Sequence, residues 1–459
     1  MPSALLESCE VVVTMDDAGT EIPGGSLLIE DGVITWVGSG SPPRAAADLR
    51  RVDGRGTVAL PGLVNTHHHL YQSLTRARAL DQGLFGWLRT LYPVWAGLDP
   101  EWERAAARVG LAELALTGCT TTTDHHYVFP PAVEGLLEAE IEAARELGLR
   151  FHPCRGSMDL GRSAGGLPPD SVVQDADTVL IETEEAVRRY HDPAPGSMLR
   201  VAIAPCSPFS VTERLMRGSA ELARRLGVRL HTHIAETLDE QSYCLETFGR
   251  RPLELLEDLG WLGSDVWLAH CVQMDEKDVR RMGETGTGVA WCPASNLRLG
   301  SGVAPARAFL DEGVAVGIGV DGSASNDAGN MIAEVRQAML VARGRDGAAA
   351  ISARDVLRMA TRGGARCLGR DDIGSLQPGM RADVALFGVD GLGFAGAEED
   401  LVAALVLCSP QRVRHLFVEG REIVDAGRLL SADEGEIAEE GRRVGRRIAG
   451  AAPRVGGAA

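Results

Sequence analysis

The sequence predicts an α/β fold, a (β/α)8 TIM-like barrel with a small β-sandwich built from both termini. Three observations carry this prediction. From residue 57 onward, eight short apolar runs alternate with longer helical stretches, the pattern of successive βα units and a parallel sheet. Segments rich in β-formers precede and follow that region. Histidine or aspartate stands at the end of five of the eight runs, the end of a barrel strand where active sites are built.

The elements follow in chain order. Residues 5–15, 25–30 and 33–39 read as strands separated by turn signals such as Asp31-Gly32, because β-branched and aromatic residues suit a pleated surface. Barrel strands are expected at 58–65, 120–124, 150–154, 199–204, 229–233, 266–270, 288–292 and 315–321. Helices are expected at 102–116, 132–147, 212–226, 239–249 and 275–283, with another segment near 353–368. β character returns at 382–387, 413–418 and 422–424. The expected domains are a sandwich of 1–56 plus 365–430, a barrel over 57–364, and a helix and tail over 431–459, loose at its end. An open doubly wound sheet is the alternative architecture. The run Gly317-Ile-Gly-Val-Asp-Gly322 matches a dinucleotide fingerprint. It lies in a strand with no helix directly after it, so it predicts no such site.

Composition removes several classes of function. The 459 residues carry 46 Lys+Arg and 64 Asp+Glu, a net charge of −18. Such an acidic chain is poorly suited to nucleic acid or an anionic membrane. No apolar run approaches the roughly 18 residues that span a bilayer, and residues 1–10 lack the basic start of a secretory signal. Nine cysteines without a C-x-x-C pair predict no disulfide framework and a reducing cytoplasm. Cys154, Cys206, Cys271 and Cys292 lie in or beside apolar segments and read as small buried residues.

Most of the 11 histidines cluster at the predicted strand ends. His67, His68 and His69 close the first, His125 and His126 follow the second, His231 and His233 end the fifth, and His270 ends the sixth. Asp321 ends the eighth. Residues two apart on a strand share a face, so His67 and His69 aim together, as do His231 and His233. Two histidines from strand 1, one from strand 5 and Asp321 make a ligand set for a divalent ion. Glu236 lies close enough to face a water there without being a ligand.

These residues carry a resemblance. Pro61-Gly-Leu-Val-Asn-Thr-His67-His68-His69 resembles the strand-1 H-x-H motif of the amidohydrolase superfamily. His233-Ile-Ala-Glu236-Thr237 resembles its strand-5 H-x-x-E-T, Leu268-Ala-His270-Cys271 its strand-6 histidine, and Gly319-Val-Asp321-Gly-Ser-Ala-Ser-Asn326-Asp327 its strand-8 aspartate. Gly374-Ser-Leu-Gln-Pro-Gly-Met-Arg-Ala-Asp383 resembles the family's return into a terminal sandwich. The resemblance implies a metal held by His67, His69, His233 and Asp321. It also implies that Asp321 takes a proton from water, His270 orients that water, and Glu236 protonates a ring nitrogen before ammonia leaves. Binuclear members bridge two ions with a carboxylated lysine from strand 4. Here that strand ends Ile203-Ala-Pro-Cys206, and the only lysine, Lys277, lies beyond strand 6. One divalent ion per subunit, Zn2+, is therefore expected, as in the mononuclear deaminase branch.

Substrate residues are read from the same resemblance. Gln72 resembles a glutamine that bonds the heterocycle, Trp87 offers a ring to stack on a planar base, and Arg155 is placed to meet an exocyclic oxygen. The segment Gly156–Asp170, rich in Gly, Pro and Ser, is a candidate lid. With Cys119-Thr-Thr-Thr-Thr-Asp124-His125, it resembles the subgroup acting on 8-oxoguanine, isocytosine and hydroxy-s-triazines. The expected reaction is 8-oxoguanine to urate and ammonia, on a free heterocyclic base, by a cytoplasmic homo-oligomer. Deamination of isocytosine or guanine, alkylamine removal from a hydroxy-s-triazine, and a non-catalytic metal-binding scaffold are the alternatives.

Overall fold

The apolar run 58–65 is continuous in sequence but divided in space. In the computed structural model, which describes residues 3–42, 49–408 and 412–451, Thr57–Pro61 joins a terminal sheet and Leu63–Asn65 enters a barrel. The break falls at Gly62, where a Cβ would lie 2.1 Å from the Thr120 hydroxyl oxygen. Only glycine permits that approach. Hydrophobic pattern reports burial, not which sheet a strand joins, so the division was not visible in the run itself.

The barrel strands are β1 (Leu63–Asn65), β2 (Cys119–His126), β3 (Arg150–Ser157), β4 (Ala202–Pro205), β5 (Leu230–Ile234), β6 (Val266–His270), β7 (Gly288–Trp291) and β8 (Val316–Ile318). They close in the order β3-β4-β5-β6-β7-β8-β1-β2, each pair parallel. The barrel is thus the expected one, and the open doubly wound sheet is set aside. Several ends differ from the sequence reading. β3 runs on to Ser157, and β8 stops at Ile318, leaving Asp321 on the loop beyond it. The glycines of 317–322 serve packing: Cβ atoms on Gly317, Gly319 and Gly322 would meet Thr66 at 2.4 Å, His67 at 2.7 Å and Gln72 at 2.0 Å. They let β8 and its loop close tightly on β1.

Two further sheets come from the flanking segments. One orders Val33–Ser39, Gly25–Glu30, Ala4–Glu7 and Arg50–Asp53. The other runs Arg428–Leu429, Arg421–Asp425, His415–Val418, Val384–Gly388, Thr57–Pro61, Val11–Val13 and Glu21–Pro23. Leu6, Val12, Leu27, Val384 and Phe417 form an apolar core between them. The stretch 5–15 is two strands rather than one, broken after Glu7 where Ser8 takes a positive φ of 62°. The segment 353–368 is helical but contains a π-helical turn over Met359–Gly363, where Gly363 and Gly364 press against Val316 and Val64.

One buried ion pair ties barrel to sandwich. Arg150, at the start of β3, holds Asp383 at 2.9 Å and Glu419 at 2.6 Å. The helix Glu434–Ala451 lies along Pro100–Leu116, with Arg447 bonded to Asp99 and Glu101. The tail expected to be loose falls outside the described residues. No helix of the described residues is long and apolar enough to cross a membrane. The cysteines are unpaired, and all but Cys408 are buried.

Candidate metal centre and active site

Three imidazoles meet at the mouth of the barrel, and their outer nitrogens decide what their inner ones can do. His69 Nδ1 lies 2.7 Å from the His125 carbonyl, and His233 Nδ1 lies 2.7 Å from the Cys206 carbonyl. A carbonyl only accepts, so each Nδ1 carries the proton and each Nε2 keeps its lone pair. His67 reaches the same state through a relay. His231 Nδ1 donates to the Trp267 carbonyl at 2.8 Å, so His231 Nε2 accepts from His67 Nδ1, also at 2.8 Å.

The three Nε2 atoms then face one another and Asp321. His69 Nε2 is 3.1 Å from His233 Nε2, and Asp321 Oδ1 is 3.2 Å from His69 Nε2 and 3.3 Å from His67 Nε2. Two lone pairs at 3.1 Å make no hydrogen bond, and His67 Nε2 is buried without a hydrogen-bond partner. Three nitrogen lone pairs and a carboxylate converging this way suit a divalent cation, with every outer N–H anchored as ligating histidines usually are.

Backbone strain aims the remaining groups. Asp321, His270 and Ala235 have positive φ of 61°, 72° and 50°, conformations that non-glycine residues adopt at a cost. Asp321 is steadied by Ser295 Oγ at 2.6 Å, Ser325 Oγ at 3.1 Å and the Gly322 amide at 2.7 Å. Asn296 Nδ2 lies 3.0 Å from His270 Nδ1. With the amide donating there, His270 Nε2 keeps the proton and points toward Glu236 Oε2, 3.5 Å away. The turn carrying Glu236 is held by Glu240, whose carboxylate accepts the Ala235 and Glu236 amides at 2.8 Å each.

Electrostatics separate the two acids. Burial, with the charges of Asp321 and Glu240, pushes the Glu236 carboxyl well above the ordinary range. Burial also works against Asp321, but the imidazoles of His67 and His69 beside it outweigh that and hold the carboxyl well below its usual value. One site therefore offers a protonated acid beside an ionised one, the arrangement that assigns acid and base roles. Burial pushes His270 down to about 3, so its imidazole is neutral.

A cavity opens over these groups, lined by His69, Trp87, Tyr92, Tyr127, His233, Glu236, His270 and Asp321 among others. All the residues expected at the metal and for proton transfer are thus brought together or line this space. Trp87 is on the wall, its indole N–H donating to the Ala324 carbonyl at 3.0 Å. Gln72 is not among the lining residues; its short helical turn, Leu70–Leu74, tucks it beneath Gly322. Arg155 is not on the wall either. Its side chain pairs with Glu182 at 2.7 Å and lies over the Phe129 ring. The segment Gly156–Asp170 is not on the wall; its Leu160 and Leu167 amides bond to Ser210 and Phe209 carbonyls at 3.1 Å and 3.0 Å. Sequence reasoning placed His231 beside His233 at the end of strand 5 without giving it a role, and missed Ser295, Asn296 and Glu240. His231 carried a signal, the two-residue spacing to His233, whereas Ser295 and Asn296 carried none beyond following β7.

Fold and site together define a metal-dependent hydrolase built on a (β/α)8 barrel. The amidohydrolase family profile matches residues 58–423. An 8-oxoguanine deaminase of Pseudomonas aeruginosa is 50% identical over 412 residues, covering 89% of this chain and 91% of that protein. A hydroxydechloroatrazine ethylaminohydrolase of Pseudomonas sp. strain ADP is 38% identical, covering 98% and 96%. The crystal structure of an atrazine chlorohydrolase from Arthrobacter aurescens complexed with zinc superposes with a TM-score of 0.92 at 36% identity, covering 96% of this chain and 100% of that one. The chain belongs to the amidohydrolase family.

Proposed function

We propose that the protein is a zinc-dependent aminohydrolase of an oxo-purine base, converting 8-oxoguanine and water to urate and ammonia. One observation carries the chemistry: Glu236, its carboxyl pushed toward the protonated form, stands 3.5 Å from His270 in the cavity that also holds the ionised Asp321. The choice of base is supported by the relative at 50% identity. His67, His69, His233 and Asp321 would hold one ion at the mouth, and when bound it would acidify a water toward a pKa of roughly 7. Zinc is supported by its presence in the Arthrobacter relative.

The chain's own groups do the rest. Asp321 accepts the water's proton. His270, its Nδ1 satisfied by Asn296, donates from Nε2 to orient the attacking oxygen and steady developing charge. Glu236 gives its proton to the ring nitrogen beside the amino-bearing carbon, which weakens the C=N bond there. The proton held by Asp321 passes to the amino group, ammonia departs as its C–N bond breaks, and the new hydroxyl returns its proton to Glu236 as it becomes the carbonyl. Trp87 and Tyr92 present rings against a planar base. Unpaired cysteines fit work in a reducing compartment.

The test is release of ammonia or amine by metal-loaded protein from 8-oxoguanine, guanine, isocytosine and an alkylamino-hydroxy-s-triazine. The highest kcat/KM is expected on 8-oxoguanine. Release from none of them would overturn the proposal, and a clear preference for the triazine would move the substrate class.

A further inference from the structure

We propose a second, buried divalent-cation site formed by Glu103, His126 and Glu140, separate from the ion at the barrel mouth. Glu103 lies on the helix Pro100–Leu116, Glu140 on the helix Leu136–Leu147, and His126 closes β2. None of the three side chains exposes any surface. The cluster shares no residue with either ligand group at the mouth.

Geometry favours an ion over direct contacts. His126 Nδ1 is 3.6 Å from Glu103 Oε2 and 4.0 Å from Glu140 Oε2. Those gaps are too long for hydrogen bonds. They match the spacing of ligands around one cation, since bonds of about 2.0–2.2 Å place ligand atoms about 3–4 Å apart. His126 Nε2 lies 3.1 Å from the Val128 carbonyl and so carries the ring's proton. Nδ1 is then a lone pair, aimed at two carboxyls.

The polar accounting points the same way. His126 Nδ1 and both oxygens of Glu103 have no hydrogen-bond partner among the described residues. The Glu140 carboxyl meets only another buried carboxyl, that of Asp124. Buried polar atoms are normally satisfied, and buried carboxylates are paired or coordinate metals. Burial pushes Glu103 and Glu140 well up and Asp124 to about 6, so this pocket needs positive charge, as protons or as a cation. The arginine whose charge reaches His126, Arg155, is engaged by Glu182.

Carboxylate oxygens with one imidazole suit Zn2+ or Mn2+. Bound there, the ion would clamp two helices to β2. It would also brace Asp124, whose other oxygen accepts the Leu70 amide at 2.6 Å directly after His69. No step of the proposed reaction depends on it.

Because the site is sealed, the ion must enter as the chain folds, so the protein is produced with Zn2+ or Mn2+ supplied. Elemental analysis should find two equivalents per subunit in the natural chain and one in a His67→Asn/His69→Asn variant, which leaves this cluster intact. A Glu103→Gln/Glu140→Gln variant should also drop from two to one, keeping the mouth ion. Anomalous diffraction from crystals of the natural protein should place a peak among Glu103, His126 and Glu140. A single equivalent, with anomalous density at the mouth only, would overturn the proposal and mean that the carboxyls share protons. If the glutamine variant fails to fold, the natural chain and the histidine variant still decide.

Discussion

His67 donates from Nδ1 to His231 Nε2 over 2.8 Å, although 164 residues separate them in the chain. The bond sets the tautomer of a residue that has no carbonyl of its own to lean on. His231 in turn is held by the Trp267 carbonyl at 2.8 Å and stacks on the Trp267 ring at 4.4 Å. Replacing His231 by Phe keeps a ring but removes the acceptor. Metal affinity should fall about 10–100-fold, the usual cost of losing such an anchor. Competition with a chelator measures it, and unchanged affinity would mean that His67 needs no relay.

Glu236→Gln should keep the metal, because Glu236 is not one of the converging ligands, and lose about 10²–10⁴-fold in turnover, the range for a general acid. Metal content and kcat measured on one preparation separate the two effects. Loss of metal with activity would make Glu236 a ligand instead.

Glu240 acts through Glu236. Its carboxylate holds the two amides of the strained turn, and Thr237 Oγ1 accepts the Glu240 amide at 3.3 Å, capping the following helix. Glu240→Ala would leave two buried amides unpaired, costing about 1–3 kcal/mol for each, and should lower kcat more than it raises KM. Burial lifts the Glu240 carboxyl from 4.5 to about 7. A raised carboxyl favours the fold while protonated, so this contribution is complete below pH 4.5 and fades as pH climbs through about 7. The natural chain should therefore lose Tm over that interval relative to Glu240→Gln, and parallel Tm curves would contradict the assignment.

Trp87 and Arg155 should part company. Trp87 lines the cavity, so Trp87→Leu should raise KM for the base with a modest change in Tm. Arg155 is buried against Glu182 and Phe129, away from the wall. Glu182 is half-exposed, so Arg155→Ala loses mainly the packing of the guanidinium on Phe129 and should lower Tm while leaving KM near its natural value. A large KM change in Arg155→Ala would return that residue to the substrate.

The sequence by itself determined the barrel, its flanking sheets and the residues that converge at its mouth. That was possible because the relevant signals are local: apolar runs alternate with helical stretches, two-residue spacing sets the face of His67 and His69, and barrel chemistry gathers at strand ends. Lys277 as the sole lysine likewise bore on the number of mouth ions without any coordinates. Tertiary structure decided what depends on neighbours far along the chain. The strand 58–65 divides at Gly62 because Thr120 leaves no room for a Cβ. Arg155 misses the cavity because its guanidinium is taken up by Glu182 and the Phe129 ring, partners that strand propensity does not mark. The tautomers of His67, His69 and His233 follow from His231 and two distant carbonyls. Glu103, His126 and Glu140 read as ordinary helix and strand-end residues until packing buries them together, where burial makes their charge a chemical demand.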